Sequence, residues 1–386
     1  MRYRRFGKTG LDISIFSLGT MRALDSSATM TATVQRAWQL GINHFETAPS
    51  YGVSERLLGQ AFCKLGLPRS NFFLTSKLLP KGAAAEIEQT ITASLENLGT
   101  DYLDCLAIHG INTAEHLQWF LETGLGPLQQ LQRQGKFRHL GFSTHGPLPL
   151  ILTAIETGYF EFVNLHYYYF FQRNAEAIAL AAARDLGIFI ISPGDKGGQL
   201  FTPPQTLQTL CQPDTPLELT YRFLLGDRRI TTLSFGAANP TELAVLVPLV
   251  DQDQPLTPQE QQRLTNLSQH QHQRLQGTEC HQCYDCLPCP EAIAIPEILR
   301  LRNLAIAYDM QSYGEYRYQM LENAGHWFPG KKRQCLYRMW RLFTPLPQPT
   351  AHPPTAPGGP PALERKTAPS SLGNLILIFA HIGGCI

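Results

Sequence analysis

The sequence is short of charge, and what it has is balanced: 16% of its 386 residues are Asp, Glu, Lys or Arg, with 32 basic against 31 acidic. That balance provides no long-range field for a polyanion, so nucleic acid is not an expected partner. Global disorder is equally excluded, because 43% of the residues are apolar. Long hydrophobic runs are missing too. The longest late one, LILIFA (375–380), falls far short of the roughly 20 residues that span a bilayer. The opening MRYRRFGKTGLDIS has basic residues with no apolar stretch behind them, so neither an export signal nor a membrane anchor is expected and the protein reads as cytoplasmic. Cysteines spread for a disulfide framework are absent as well. Four of the nine fall between Cys280 and Cys289, a clustering that favours a metal centre in a reducing compartment.

What is present from residue 1 to about 250 is an alternation of short β-rich runs and longer stretches of helical spacing. Eight runs recur: 14–20, 43–48, 71–78, 103–109, 138–144, 162–167, 188–194 and 231–237. Each is mostly apolar rather than alternating, as parallel strands buried on both faces should be. Between them, segments such as 31–40, 54–65 and 85–98 repeat apolar residues every three or four positions. Eight such units in about 250 residues predict an α/β fold, a (β/α)8 TIM barrel, with a doubly wound open sheet as the alternative. RYRRF, GKTG and LDIS predict an N-terminal hairpin placed to plug the barrel bottom.

From Asp251 the chain becomes Gln-rich, and Thr257, Pro258 and Glu260 suit the N-cap, first turn and capping box of a solvated connecting helix over 251–279. Residues 280–330 hold the cysteine cluster and a helical pattern sufficient for a small module. Nine of the 28 prolines lie in 344–371, and 331–386 reads as an atypical, disordered tail.

In a barrel of this kind, chemistry belongs where strands end. Glu46 ends the second run, Tyr51 follows it, Lys77 ends the third and His109 the fourth. A carboxylate, a phenol, an ammonium and an imidazole on consecutive strands make an acid–base set. An adjacent ammonium is expected to lower the phenol's pKa, Glu46 to hold Lys77, and His109 to orient a carbonyl oxygen. The structural reading of each residue, as ion pair or packing, weighs against it.

These same residues carry a resemblance. HFETAPSYGVSERLLGQAF (44–62) resembles the signature of the aldo-keto reductase superfamily, and LTSKL, YLDCLAIHG, GKFRHLGFSTH, ISPGDKGGQL and LSFGAANPTEL are similar, in order, to its later motifs. The resemblance implies an NAD(P)H-dependent oxidoreductase that reduces a small-molecule aldehyde or ketone, with Tyr51 as proton donor supported by Lys77, Glu46 and His109. It also implies cofactor contacts at Ser143 and Asn164 for the carboxamide and at Ser192, Gly194, Gly236, Ala237 and Asn239 near phosphate. Departures are Glu46 for the usual Asp, Asn164 for the usual Gln, and a stretch from Arg229 to Arg263 without a basic residue for a 2′-phosphate. NADP is thus expected from family habit, with NAD open.

Cys280, Cys283, Cys286 and Cys289 are each two residues apart, and Pro290 follows the last. Zinc knuckles normally stand on either side of a loop, whereas consecutive CxxCxxC ligands with a final Cys-Pro suit a [4Fe–4S] cluster. Cys335 is an alternative fourth ligand. Residues 280–329 resemble the ferredoxin-like extension of an aldo-keto reductase subgroup, and the chain beyond Gly330 departs from it in a way that suggests divergence or a shifted reading frame. No flavin motif is evident to split a hydride's two electrons. The rival readings are a non-enzymatic redox or regulatory subunit that binds nucleotide, and cluster-mediated electron transfer with an electron-carrier protein.

Overall fold

The structure, a computed structural model, describes residues 1–331. The proline-rich tail, with Cys335 and Cys385, lies outside the described residues. The chain divides into two compact units, the first running to Gln269 and the second beginning at His270.

The first unit opens with an antiparallel hairpin, β1 (Tyr3–Arg5) and β2 (Asp12–Ser14). Eight parallel strands follow: β3 (Phe16–Gly19), β4 (His44–Glu46), β5 (Phe73–Leu78), β6 (Leu103–His109), β7 (Phe137–Ser143), β8 (Phe162–Leu165), β9 (Gly187–Ile190) and β10 (Thr232–Phe235). They pair in sequence order, and β10 closes on β3 with Leu233 opposite Phe16. Closure excludes the open sheet. Most of these strands are buried along their whole length, which is why the runs read as apolar rather than alternating. Helices α1 (Ser27–Gln39), α2 (Ser54–Leu65), α3 (Ala84–Leu98), α4 (Ala114–Trp119), α5 (Leu125–Arg133), α6 (Leu148–Glu156), α7 (Ala175–Ala183), α8 (Gln205–Cys211) and α9 (Pro216–Leu225) lie between the strands.

The hairpin does plug the barrel. Phe6 and Ile13 join Cys105, Ala107, Phe162 and Phe189 in one core cluster, with Leu11 and Phe73 against it. Two glycines make room for these rings. A Cβ on Gly187 would stand 2.3 Å from the Phe6 ring, and one on Gly141 would stand 2.5 Å from that of Phe162.

Above this apolar plug sits a polar layer. Ser17 Oγ meets His44 Nδ1 at 2.6 Å and Thr232 Oγ1 at 2.7 Å, while His44 Nε2 meets Thr75 Oγ1 at 2.7 Å. Side chains alternate along a strand, so residues two apart share a face. His44 and Thr75 therefore share the interior face with Glu46 and Lys77, one step below them.

α10 (Pro258–Leu275) begins in the expected capping box, with Thr257 N–H donating to Glu260 Oε2 at 2.7 Å and Glu260 N–H donating to Thr257 Oγ1 at 3.2 Å. Its start is not merely solvated. Glu260 is buried and receives Arg222 Nε at 2.6 Å, and Leu264 and Leu267 are buried too. The helix runs into the second unit, which contains α11 (Ile295–Tyr308), α12 (Gln311–Met320) and a single turn over Gly325–Trp327. No described helix is long and apolar enough to cross a membrane.

Candidate active site

Three members of the acid–base set lie at strand ends that face the βα loops, and Tyr51 lies in the loop after β4. Glu46 is the last residue of β4 and His109 the last of β6, while Lys77 is the penultimate residue of β5. After β4 the chain makes a single 3-10 turn, Pro49–Tyr51, with Pro49 at its first position. Gly52 then takes φ +64°, a conformation that disfavours side chains, and α2 begins at Ser54. Ser54 Oγ fixes this loop by bonding Thr20 Oγ1 at 2.6 Å and Thr47 Oγ1 at 2.9 Å.

Lys77 is the hub. Its Nζ donates to Glu46 Oε1 in a very close contact, to the Thr47 carbonyl at 3.0 Å and to Tyr51 Oη at 3.0 Å. The Tyr51 ring meets the His109 ring edge-on, with centroids 5.7 Å apart. Ser50 Oγ shares a hydrogen bond of 3.1 Å with His109 Nδ1. A cleft of about 120 Å³ lies beside Lys77 and His109, lined also by Ser50, Leu79, Lys81 and Thr90.

The electrostatics correct one expectation. Tyr51 is pushed above its ordinary value rather than below it, because burial disfavours the phenolate. Burial likewise pushes Lys77 well below the usual ammonium range, with Lys196 as a second, repelling charge. The Glu46 carboxylate beside its Nζ is the counter-charge that opposes this. Tyr51 thus stays protonated at neutral pH, and an N–H stands ready beside its oxygen.

The residues implied for the cofactor divide into two groups. In the first, Ser143 and Asn164 are register partners at the ends of β7 and β8, and His109 pairs with Ser143 in turn. Ser143 Oγ accepts the Gly110 N–H at 3.0 Å, which leaves its own O–H as a donor. Asn164 is fully buried, and neither its Oδ1 nor its Nδ2 has a protein partner. Leaving both ends of a buried amide unpaired is costly. One donor and one acceptor side by side are the complement of a primary carboxamide, so the residues present fit a nicotinamide.

The second group is less uniform. A Cβ on Gly236 would meet nothing nearer than Arg22 Cδ at 3.8 Å, leaving the backbone open to approach. Gly194, in contrast, is packed against Phe201 and Leu217, so its missing side chain accommodates protein. Ala237 is buried, and Ser192 holds a left-handed φ of +51°. Asn239 spends its Oδ1 capping a 3-10 helix, Pro240–Leu249, by accepting Thr241 N–H at 3.0 Å.

Sequence reasoning missed two cations. Arg22, in the loop after β3, donates to the Gly236 carbonyl at 2.7 Å and to Glu242 at 2.8 Å, so a basic residue reaches this corner from the other end of the barrel sequence. Lys196, in the loop after β9, lies within electrostatic reach of Lys77. Neither had a local signal, since only closure of the barrel unites these loops. The aromatic segment HYYYFFQ packs: Tyr167 stacks on Phe223, and Tyr169 Oη donates to the Leu264 carbonyl at 2.7 Å.

In the second unit, Cys280, Cys283, Cys286 and Cys289 are free thiols on one loop, turned tightly by left-handed Gln282 and Tyr284. Burial raises the Cys286 thiol, and its three neighbours in the series raise it further, so the four lie within electrostatic reach. Among the described residues, however, no three metal-ligating side chains converge on one point.

Comparison with known proteins agrees with this geometry. The Aldo/keto reductase family matches residues 16–269. The L-galactose dehydrogenase of Arabidopsis thaliana is 30% identical over 220 residues, covering 52% of this chain and 68% of the relative. The methylglyoxal reductase DkgB of Salmonella typhi is 30% identical over 146 residues, covering 38% and 52% respectively. Among solved structures, the holo aldo-keto reductase AKR11C1 from Bacillus halodurans shares the fold at a TM-score of 0.61 and 22% identity, over 69% of this chain and 95% of that one. With the family match spanning most of the chain and falling on the barrel that carries the acid–base set, this protein belongs to the Aldo/keto reductase family of oxidoreductases.

Proposed function

We propose that this chain is an NAD(P)H-dependent carbonyl reductase acting on a small aldehyde or ketone. The observation that carries this reading is the Glu46–Lys77–Tyr51 chain, with a protonated phenol edge-on to His109. When bound, the nicotinamide supplies hydride to the carbonyl carbon. The Tyr51 phenol gives its proton to the carbonyl oxygen, and the Lys77 N–H at 3.0 Å stabilises the phenolate left behind. His109, held by Ser50, orients that oxygen. Ser143 and Asn164 are the residues for the carboxamide, and Gly236 is the place for close backbone approach to phosphate. Arg22 supplies a cation near this corner, but Glu242 already holds it, so either NADP or NAD serves as the proposed cofactor. The test is oxidation of NADPH and NADH with an aldehyde panel that includes methylglyoxal. Turnover that is unchanged by Tyr51→Phe would overturn the proton-donor assignment.

For the second unit we infer a [4Fe–4S] cluster on Cys280, Cys283, Cys286 and Cys289. The support is their spacing and the following Pro290. Convergence of the ligands is then a consequence of metal binding, and no catalytic step is assigned to the cluster. An anaerobic visible spectrum with iron and zinc content decides it; zinc without iron, or neither metal, overturns it.

A further inference from the structure

The strand order of the barrel sets where the two ends of a dinucleotide lie. Ser143 and Asn164, the pair that fits a carboxamide, stand at the ends of β7 and β8. In one direction the rim continues through β6, β5 and β4, which carry His109, Lys77 and Glu46 and so belong to the reacting carbonyl. In the other direction it runs through β9 and β10 to β3. An extended cofactor held by its nicotinamide therefore carries its adenosine end to the corner between β10 and β3, where Gly236 leaves the backbone open.

Two charged side chains meet at that corner. Arg22 is the one basic residue in the loop after β3, and no Lys or Arg lies between Arg229 and Arg263. Its Nη1 donates to the Gly236 carbonyl at 2.7 Å and to Glu242 Oε2 at 2.8 Å, and its Nη2 donates to Glu242 Oε1 at 3.1 Å. Glu242 is fastened from its own side as well. Its Oε2 accepts the Ala238 N–H at 3.1 Å, and Asn239 Oδ1 accepts the Glu242 N–H at 3.3 Å, which seats the residue in the first turn of the 3-10 helix.

We propose that Glu242 makes this protein select NAD over NADP, by holding the cation that a 2′-phosphate needs and by accepting a free 2′-hydroxyl. This deepens the nicotinamide reading above and rests on it. The two cofactors differ only at that ribose position, which bears a hydroxyl in one and a phosphate in the other. A carboxylate oxygen has two lone-pair sites, so Oε1 accepts a ribose hydroxyl while keeping its bond from Arg22. An acid for the hydroxyl and an arginine for the phosphate is the division used in other dinucleotide sites. A phosphate here meets a guanidinium whose charge is already offset, and it is repelled by the same carboxylate. To gain the cation it must break a bidentate pair, and the β10 side offers no second basic residue to repay that loss.

The experiment measures the dissociation constants of NADH and NADPH on the full chain by the change in nicotinamide fluorescence on binding, so it needs no turnover. The wild type is expected to bind NADPH at least about tenfold more weakly than NADH. Glu242→Gln keeps the shape and removes the charge, so it should close the gap to within about twofold by freeing Arg22. Adding Arg22→Gln to that variant should open the gap again. Glu242→Ala, read in the same way, guards against a Gln variant that fails to fold. Equal or tighter binding of NADPH by the wild type overturns the proposal. So does a gap that neither Glu242 variant narrows, or one that the double variant leaves closed. If neither cofactor binds the wild type, the nicotinamide reading itself fails and this inference falls with it.

Discussion

At the scale of single residues, the site is one lysine with three obligations. Lys77 neutralises Glu46, holds the Thr47 carbonyl and touches the Tyr51 oxygen, all from a buried position. Removing either charge strands the other. Lys77→Met is expected to cost about 3–5 kcal/mol in urea unfolding, because Glu46 is left buried without its partner. The double variant Lys77→Met/Glu46→Gln should recover part of that loss, and a double-mutant cycle measures how much. Tyr51→Phe removes a hydroxyl and no charge. Steady-state turnover should therefore fall by roughly 10²–10⁴-fold while cofactor affinity holds, as checked by fluorescence titration.

At the scale of elements, the barrel is a stack of layers, and each layer has its own measurable weakness. The bottom depends on the hairpin's Phe6 filling the space that Gly187 leaves. Phe6→Ala should destabilise by about 3–5 kcal/mol. Gly187→Ala should be damaging in the wild type, where its Cβ would meet the Phe6 ring at 2.3 Å, and nearly harmless once Phe6 is Ala. The polar layer predicts an acid sensitivity. Burial, then Lys77, pushes His44 down to about 3. The unfolded chain, with an ordinary imidazole near 6.5, takes up the proton that the folded state refuses. His44's contribution is thus complete above about pH 6.5 and is lost as pH falls from there toward 3. Urea midpoints between pH 6.5 and 5, above most carboxylate titration, should decline by one proton's worth of slope, and His44→Gln should remove that decline.

At the scale of the whole molecule, the candidate acid–base set falls in one unit and the cysteine loop in the other. Every member of the acid–base set lies within residues 1–269, and the cysteine loop lies in the unit that starts at His270. Cys283→Ala is therefore expected to abolish iron binding and visible absorption while leaving Tyr51-dependent aldehyde turnover in place. Loss of turnover in that variant, with the barrel still folded by circular dichroism, would link the two units functionally.

How much of this was legible in the sequence depended on how local each signal was. The eight strands declared themselves because burial on both faces forces continuous apolar runs such as LDCLAIH, with Glu46, Lys77 and His109 at their ends and Tyr51 in the loop that follows Glu46. The capping box of α10 is legible for the same reason, since Thr257 and Glu260 act within a single turn. The phenol's proton affinity was not legible: nearness to Lys77 suggested a lowered value, and burial, a property of the assembled barrel, reversed it. Arg22 at Gly236 and Lys196 beside Lys77 needed closure of the barrel to bring distant loops together. Sequence alone determined the family and the fold and singled out the four candidate acid–base residues, through periodicity and local motifs. Tertiary structure decided the charge states and the long-range partners, because both depend on what is excluded from water and on which strand ends share one rim.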